Sequence, residues 1–140
     1  MMKNSKLLVF LLLIVSYFFL GGMVSENTSA FELNVGTVPD VVALNTDFTL
    51  NAEIKNVSYN FQKIEYGYNI ISVYVDGENP AEVVTFSIGH SGYLLPSDSL
   101  SVEKTLQFST IGIHEVKLIS SFYVGDELIT YEQMYFIQVV

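Results

Sequence analysis

The chain has 140 residues, half of them hydrophobic, and its six lysines and fifteen acidic residues give it a formal net charge of −9. Because it contains no cysteine, disulfide bonds, thiolate metal sites, a cysteine nucleophile and a lipid anchor on an N-terminal cysteine are all excluded. A chain this acidic repels phosphate backbones, so no nucleic-acid partner is predicted.

The N-terminal segment has the order of charge and hydropathy that is typical of a secretory signal. Lys3 and Lys6 precede a run without any charged residue, residues 7–24, and a short polar stretch follows. This order predicts export, with cleavage after Ala30. The alternative is an uncleaved anchor, because a helix of that length would measure about 27 Å and could just span a bilayer with its lysines inside.

Both interpretations predict the same organisation of the chain. Residues 1–30 are a signal peptide or membrane anchor, a hydrophobic helix in either form, and residues 31–140 form one domain. The domain is predicted to be extracellular or at the cell surface. Contact with a membrane is predicted only through residues 7–24, if they are not removed.

Beyond residue 30, hydrophobic side chains recur at every second position, which is the period of a β-strand with one buried face. The clearest example is Phe48–Lys55, where hydrophobic and polar residues alternate throughout. Shorter strands are predicted at Phe31–Val35 and Ile71–Val75, with a short apolar piece at Val41–Leu44. Residues 56–62 are predicted to be a loop or a bent strand.

A hairpin is predicted at Asp76-Gly77, because Gly adopts the positive φ that a tight turn requires. Val84, Phe86 and Ile88 would form its returning strand, and residues 89–98 are predicted to be a loop. The C-terminal part continues the pattern. Leu100–Phe108 has one apolar face, with Lys104 as the exception, and Gly112 marks a corner. A long strand then ends near Val124. A turn at Gly125-Asp126 leads into the last strand, Leu128–Val139.

These seven to nine short strands, with no segment of helical period, predict an all-β Greek-key sandwich. The stretches FTLNAEIKNVS, ISVYVDGENPAEVVTFSI and LLPSDSLSVEKTLQFSTIGIHEVKLISS, within roughly Asp47–Ser121, resemble the immunoglobulin-like domains of prokaryotic cell-surface proteins. The nearest type is the cell-adhesion-related domain found in bacteria, CARDB. Pro96-Ser97 stands where that family usually has Pro-Gly. The resemblance implies a binding or spacer module with no catalytic residues to carry over.

Residues that could carry chemistry are few. His90 and His114 lie in different elements and lack the spacing of a zinc site. The acidic turns at residues 76–78 and 126–127 resemble calcium-binding loops only in charge, since no run of alternating acidic residues supplies six oxygen ligands. No catalytic, cofactor-binding or metal-binding residue is therefore predicted.

Aromatic side chains form the most distinctive group. Tyr59, Phe61, Tyr66 and Tyr68 fall within ten residues of sequence, and Tyr93 lies in a second predicted loop. Tyrosine gives a large contact area at a small entropic cost, so these residues are candidates for contact with a protein or glycan of the cell envelope. The alternative is that Phe61 and one or two of the tyrosines cap the end of the sandwich.

Two glycosylation sequons occur. The first, Asn27-Thr28-Ser29, would be lost on cleavage after Ala30, whereas Asn56-Val57-Ser58 lies at the end of a predicted strand. Asn56 is therefore a candidate for glycosylation in a glycosylating host, although a chance match to the motif is the favoured interpretation.

Taken together, these features predict a non-enzymatic, secreted or cell-surface module for adhesion, spacing or envelope assembly. One alternative is a subunit or accessory of an extracellular filament or envelope machine, because a hydrophobic helix followed by a β-sandwich resembles the architecture of archaellum stator proteins. A small secreted enzyme or inhibitor is the other alternative. The sequence lacks a recognisable set of catalytic acid, base and nucleophile, which counts against an enzyme.

Overall fold

The computed structural model describes residues 29–79 and 89–140. The predicted N-terminal helix and the predicted strand at Val84, Phe86 and Ile88 lie outside these residues. No helix among the described residues is long and apolar enough to span a membrane. Within this part of the chain the structure is all-β, with β1 Phe31–Val35, β2 Val41–Val42, β3 Phe48–Asn56, β4 Gln62–Tyr66, β5 Ile71–Val75, β6 His90–Leu94, β7 Ser99–Leu106, β8 Gly112–Val124 and β9 Glu127–Val139.

The strands form two sheets. The first has the order β1-β3-β7, and the second has the order β2-β9-β8-β4-β6, with β5 also paired to β8. Among the described strands, only the short β2 runs parallel to its neighbour, β9, and every other pair is antiparallel. The chain changes sheet on entering and leaving β2, between β3 and β4, and on entering and leaving β7. Such crossing connections make a sandwich rather than two separate hairpin layers.

Hydrophobic side chains from the inner faces of both sheets form one core. The rings of Phe31 in β1 and Phe122 in β8 meet edge to face across it, with centroids 4.9 Å apart. Leu50, Ile64 and Leu118 are at most 1% exposed. Burial of each such side chain contributes about 1.5–3 kcal/mol, so the alternating pattern supplies most of the driving force for the fold.

The strongly alternating segments fold as predicted. β1, β3, β5, β8 and β9 match the predicted strands to within a few residues. Both predicted turns are present, with positive φ angles of 83° at Gly77 and 60° at Gly125. Lys104 lies opposite Leu50 on the inner side of β7, an edge strand of the three-stranded sheet. An inward-pointing charge on an edge strand hinders pairing with another sheet.

Residues 89–98 correct one prediction. Residues 90–94 form β6, which pairs along its whole length with β4, whereas the sequence predicts a loop. His90, Ser91 and Gly92 carry no apolar alternation, and of the five residues only Leu94 is buried. The strand forms because its backbone finds a partner in β4, which no local pattern reveals.

One end of the sandwich, called the entry end below, is where the chain enters the domain. The Val57 N–H donates to the Ala30 carbonyl at 2.9 Å, and the Ser97 N–H donates to the Asn56 carbonyl at the same distance. The Tyr131 hydroxyl, near the β8–β9 turn, donates to the Phe31 carbonyl at 2.9 Å. The entry end therefore gathers the start of β1, the β3–β4 loop, the β6–β7 loop and the β8–β9 turn.

Candidate functional site

A single buried side chain organises the entry end. Asn56, the last residue of β3, is completely buried. Its Nδ2 donates to the carbonyls of Asn60 at 2.8 Å and Leu94 at 2.9 Å. Its Oδ1 accepts hydrogen bonds from the Ser58 N–H at 3.0 Å and from the Ser58 hydroxyl at 2.7 Å. All the bonding capacity of the side chain is used, as burial of an amide requires.

These bonds fix the β3–β4 loop. Oδ1 of Asn56 and the N–H two residues later form an Asx-turn, and the Ser58 hydroxyl also donates to the Asn60 carbonyl at 3.0 Å. The bond to Leu94 ties the loop to the end of β6 in the other sheet. The sequon therefore serves as a turn motif, in which Asn and Ser are the residue types that the hydrogen bonds need.

The loop and β6 hold three exposed aromatic rings at the entry end. Tyr59 is 98% exposed, Phe61 is 65% exposed and Tyr93 is 66% exposed. The rings of Phe61 and Tyr93 are in contact, with centroids 6.0 Å apart and planes at 62°. Leu95 follows β6 and is exposed beside them. These four side chains are called the entry-end cluster.

The other two predicted contact residues lie elsewhere. Tyr66, at the end of β4, is partly buried against the core and stacks on His90 with centroids 5.5 Å apart. Both rings line an open groove of about 540 Å³ together with Tyr123 and Leu128. Tyr68 lies in the β4–β5 connection, beside a separate depression. The five predicted contact residues are thus divided among three surfaces, although four of them lie within ten residues of sequence.

The entry-end cluster is uncharged, and both basic and acidic residues lie around it. Lys63 lies opposite Tyr93 in the β4–β6 pair, and its Nζ is 2.9 Å from Oε1 of Glu65. The hydrogen bond that its ammonium group donates to Glu65 raises the pKa of Lys63. Asp98 and Asp126 lie in the adjacent β6–β7 loop and β8–β9 turn. The surroundings therefore supply no excess of positive charge that would attract an anionic ligand.

The β6–β7 loop contains the Pro-Ser departure from the CARDB pattern. The Asp98 N–H donates to the Leu95 carbonyl at 3.0 Å and closes a β-turn with Pro96 and Ser97 in the centre. Ser97 has a φ of 71°. That conformation is the one for which such turns favour Gly, so Ser97 is strained where the family usually has glycine.

The opposite end of the sandwich holds an ionic contact that the sequence did not reveal. Nδ1 of His114 lies 2.7 Å from Oδ2 of Asp76, and Nε2 lies 2.8 Å from the Thr110 carbonyl. The imidazole also stacks on Phe108, with centroids 4.6 Å apart. Both ring nitrogens face acceptors, so the doubly protonated imidazolium is the form that satisfies them.

Ionisation at this contact follows its geometry. The hydrogen bond to Asp76, followed by that to the Thr110 carbonyl, raises the pKa of His114 against a smaller effect of burial. Burial disfavours the charged form of Asp76, but hydrogen bonds from His114 and the Glu115 N–H outweigh it and lower the pKa of Asp76. Both oxygens of Asp76 are therefore engaged, although the sequence marks its turn as an acidic, calcium-like loop.

The described residues contain no group of three or more His, Asp or Glu side chains that could hold a metal ion. The structure also argues against glycosylation of Asn56 in the folded protein, because its amide is buried and both N–H groups are bonded. A glycan could be attached there only before the β3–β4 loop forms. The one sequence signal for the structural role of Asn56 is the Asn-x-Ser spacing at a strand end.

No protein-family model matches the sequence, and a search of curated proteins finds no significant match. Among solved structures, the CARDB domain of the PF1109 protein from Pyrococcus furiosus is similar, with a TM-score of 0.47 and 13% identity over 79% of this chain and 87% of that chain. The resemblance to CARDB domains that the sequence predicts is thus found again, and at this identity it concerns the fold alone.

Two larger proteins also contain a similar region. A β-glucosidase from Listeria innocua has a TM-score of 0.44 and 17% identity, over 80% of this chain but only 16% of the enzyme. The sporulation control protein Spo0M from Bacillus subtilis has a TM-score of 0.42 and 17% identity, over 79% of this chain and 49% of that protein.

Proposed function

We propose that this protein is a non-enzymatic, immunoglobulin-like module of the cell envelope that lies outside the cytoplasm and makes contact through its entry end. Its work is adhesion, spacing or assembly rather than chemistry. The observation that carries the proposal is the entry-end cluster itself, since Asn56 fixes a loop whose aromatic side chains are solvent-exposed.

The energetics of the loop support a contact role. Tyr59 projects from the loop with 98% of its surface exposed, so its side chain contributes nothing to the core. Exposed aromatic residues on a rigid loop lose little entropy on binding, because their backbone is already ordered. The buried Asn56 supplies that order through four hydrogen bonds.

The N-terminal segment supports a position outside the cytoplasm. Lys3 and Lys6 precede the uncharged residues 7–24, which is the arrangement that directs the following domain across a membrane. The acidic domain that follows is compatible with a hydrated external surface. Export therefore follows from the charge order whether or not the segment is removed.

Two measurements on the full-length chain test this function. External protease should digest the domain in intact host cells, and fractionation should recover the protein with the envelope. Replacing Tyr59 and Phe61 by Ser should reduce its contacts with other envelope components, whereas Thr49→Ser, on the exposed side of β3, serves as the matched control. A domain that resists external protease until the cells are lysed would contradict the proposed function.

A second candidate function is that of a subunit in an envelope assembly, as in the filament or stator-like alternative. One observation favours it: Ile113, Met134 and Phe136 are exposed on the outer face of the β8–β9 hairpin. Such a face is suited to packing against a second copy of the chain. Sedimentation of the full-length protein in detergent tests it, and a strict monomer at high concentration would contradict it.

A further inference from the structure

The residues that lead into β1 are part of the sandwich. Ser29 Oγ is hydrogen-bonded to the Tyr131 hydroxyl, and the Phe31 N–H donates to the same Oγ at 3.3 Å. The Ala30 carbonyl accepts the Val57 N–H at 2.9 Å. Cleavage after Ala30 would remove all three contacts. These contacts favour retention of the N-terminal segment over its removal at that position.

The length of the connecting chain restricts where the domain can lie. Only residues 25–28 separate Ser29 from Val24, the last residue of the uncharged run. The five links from Val24 to Ser29 reach at most about 18 Å even when fully extended. If residues 7–24 lie in a bilayer, the entry end must therefore face that bilayer, and the end with His114 and Asp76 must point away.

The chemistry of the entry end matches the polar–apolar boundary of a membrane. Tyrosine is enriched at that boundary, because its ring is apolar and its hydroxyl remains hydrated. Tyr59, Phe61, Tyr93 and Leu95 are all exposed on this side and carry no charge. Asp98 and Asp126 lie in the loop and turn at this end, and Lys63 is paired with Glu65, so no excess of positive charge favours an anionic headgroup surface over a zwitterionic one.

We propose that residues 7–24 stay in the membrane and that the entry-end cluster lies on the lipid interface, with Tyr59, Phe61 and Tyr93 at the level of the headgroups. This inference deepens the proposed function and rests on it, because it names the envelope component that the entry end contacts. The bilayer then sets the orientation of the sandwich. β2 and the β7–β8 loop, at the opposite end, are held away from the membrane for other partners.

The absence of tryptophan from the chain provides a direct experiment. Tyr59→Trp places a single fluorescent probe in the cluster, and Ile111→Trp places one at the opposite end, where the side chain is 69% exposed. Both full-length variants are reconstituted in phosphatidylcholine vesicles with and without brominated acyl chains. We expect blue-shifted emission and quenching by the brominated lipid for Tyr59→Trp, and neither for Ile111→Trp.

Four outcomes would overturn this inference. Two of them concern quenching: the Tyr59→Trp emission stays unquenched in a protein that remains vesicle-bound, or both probes are quenched equally. The third is a native protein whose N-terminus is Phe31. The fourth is an emission spectrum that shifts only when a cell-wall glycan or a protein is added. None of these contradicts the proposed function, which fails if the domain is not outside the cell or if replacing Tyr59 and Phe61 by Ser leaves its envelope contacts unchanged. Phe61→Trp provides a second probe in the same cluster.

Discussion

Nδ2 of Asn56 lies 2.9 Å from the carbonyl oxygen of Leu94, and this bond joins the last residue of β3 in one sheet to the last residue of β6 in the other. Both residues are buried. The bond closes the entry end of the sandwich from inside, while the loop that it anchors displays Tyr59 outside. Stability of the fold and presentation of the entry-end cluster therefore depend on the same side chain.

Replacing Asn56 by Ala should lower the free energy of unfolding by about 2–4 kcal/mol, because two carbonyls, one N–H and one hydroxyl lose their partner at a buried position. Chemical denaturation of the full-length protein in detergent measures the loss. Asn51→Ala, on the exposed face of the same strand, should change stability by less than about 0.5 kcal/mol. Equal stability of the two variants would contradict the anchoring role.

The two tyrosines of the β3–β4 region should respond differently to replacement by Ser. Tyr59→Ser should leave the melting temperature unchanged, because the ring is exposed and has no ring contact among the described residues. Tyr66→Ser should cost about 1–3 kcal/mol, since it removes partly buried area and the stacking on His90. Thermal unfolding followed by circular dichroism distinguishes them. A large loss of stability in Tyr59→Ser would mean that the Tyr59 side chain contributes to the stability of the fold.

The contact between His114 and Asp76 predicts a pH dependence of stability. The raised pKa of His114 means that its stabilisation is complete below its usual value of about 6.5 and is lost as the pH rises through the raised value. The lowered pKa of Asp76 means that its contribution is present above about 3.9 and is lost as the pH falls through the lowered value. The contact therefore stabilises the protein between these limits.

Melting temperatures measured from pH 5 to pH 9 test the upper end of this pH window, which lies above about pH 6.5. The expected contribution is at most about 1 kcal/mol, because Asp76 is half exposed and solvent screens the pair. Asp76→Asn should flatten the decline at alkaline pH, and His90→Gln is the control that removes the other histidine. A decline of the same size in Asp76→Asn would assign the pH dependence to another group.

Ser97→Gly should raise the free energy of unfolding by about 0.5–1 kcal/mol, because glycine adopts the left-handed backbone of this turn without strain. Denaturant unfolding of the two proteins gives the difference. Ser101→Gly, in the middle of β7, is the matched control and should destabilise the protein. A loss of stability in Ser97→Gly would show that the serine side chain stabilises the loop by more than its backbone strain costs.

The second sequon should remain unmodified in the folded protein. Natively folded protein isolated from a glycosylating host should carry no glycan on Asn56 by intact-mass analysis, because its Nδ2 is enclosed by the carbonyls of Asn60 and Leu94. Ser58→Thr keeps the sequon and retains a hydroxyl, and Ser58→Ala removes both. A glycan on Asn56 of natively folded protein would contradict the buried geometry.

Strands with one buried face could be predicted from the sequence, and those without one could not. β3 alternates hydrophobic and polar residues along nearly its whole length, and its inner side chains are buried as predicted. β6 has a single buried residue, Leu94, so its strand character depends on pairing with β4. Periodicity reports the environment of side chains, whereas pairing of edge strands depends on backbone groups that every sequence possesses.

The same limit applies to the candidate site. Four aromatic residues close in sequence, with Tyr93 from a second predicted loop, were candidates for partner contact. Tyr66 points toward the core side of its sheet, however, and Tyr68 follows the end of β4. Phe61 and Tyr93 meet because β4 and β6 are neighbours, although they are far apart in the chain. The importance of Asn56 was concealed because its motif also matches a glycosylation sequon.

The amino-acid sequence by itself determined that the domain is all-β, which faces of its main strands are buried and where its tight turns lie. These properties are local, since they depend on side-chain alternation and on the few residues that tolerate positive φ. Only the tertiary structure decided that Asn56 is a buried hub, that His114 meets Asp76 and that the exposed aromatic residues lie where the chain enters the sandwich. Residues distant in sequence meet in three contacts, Asn56–Leu94, His114–Asp76 and Phe61–Tyr93, so their geometry exists only once the strands and sheets have packed.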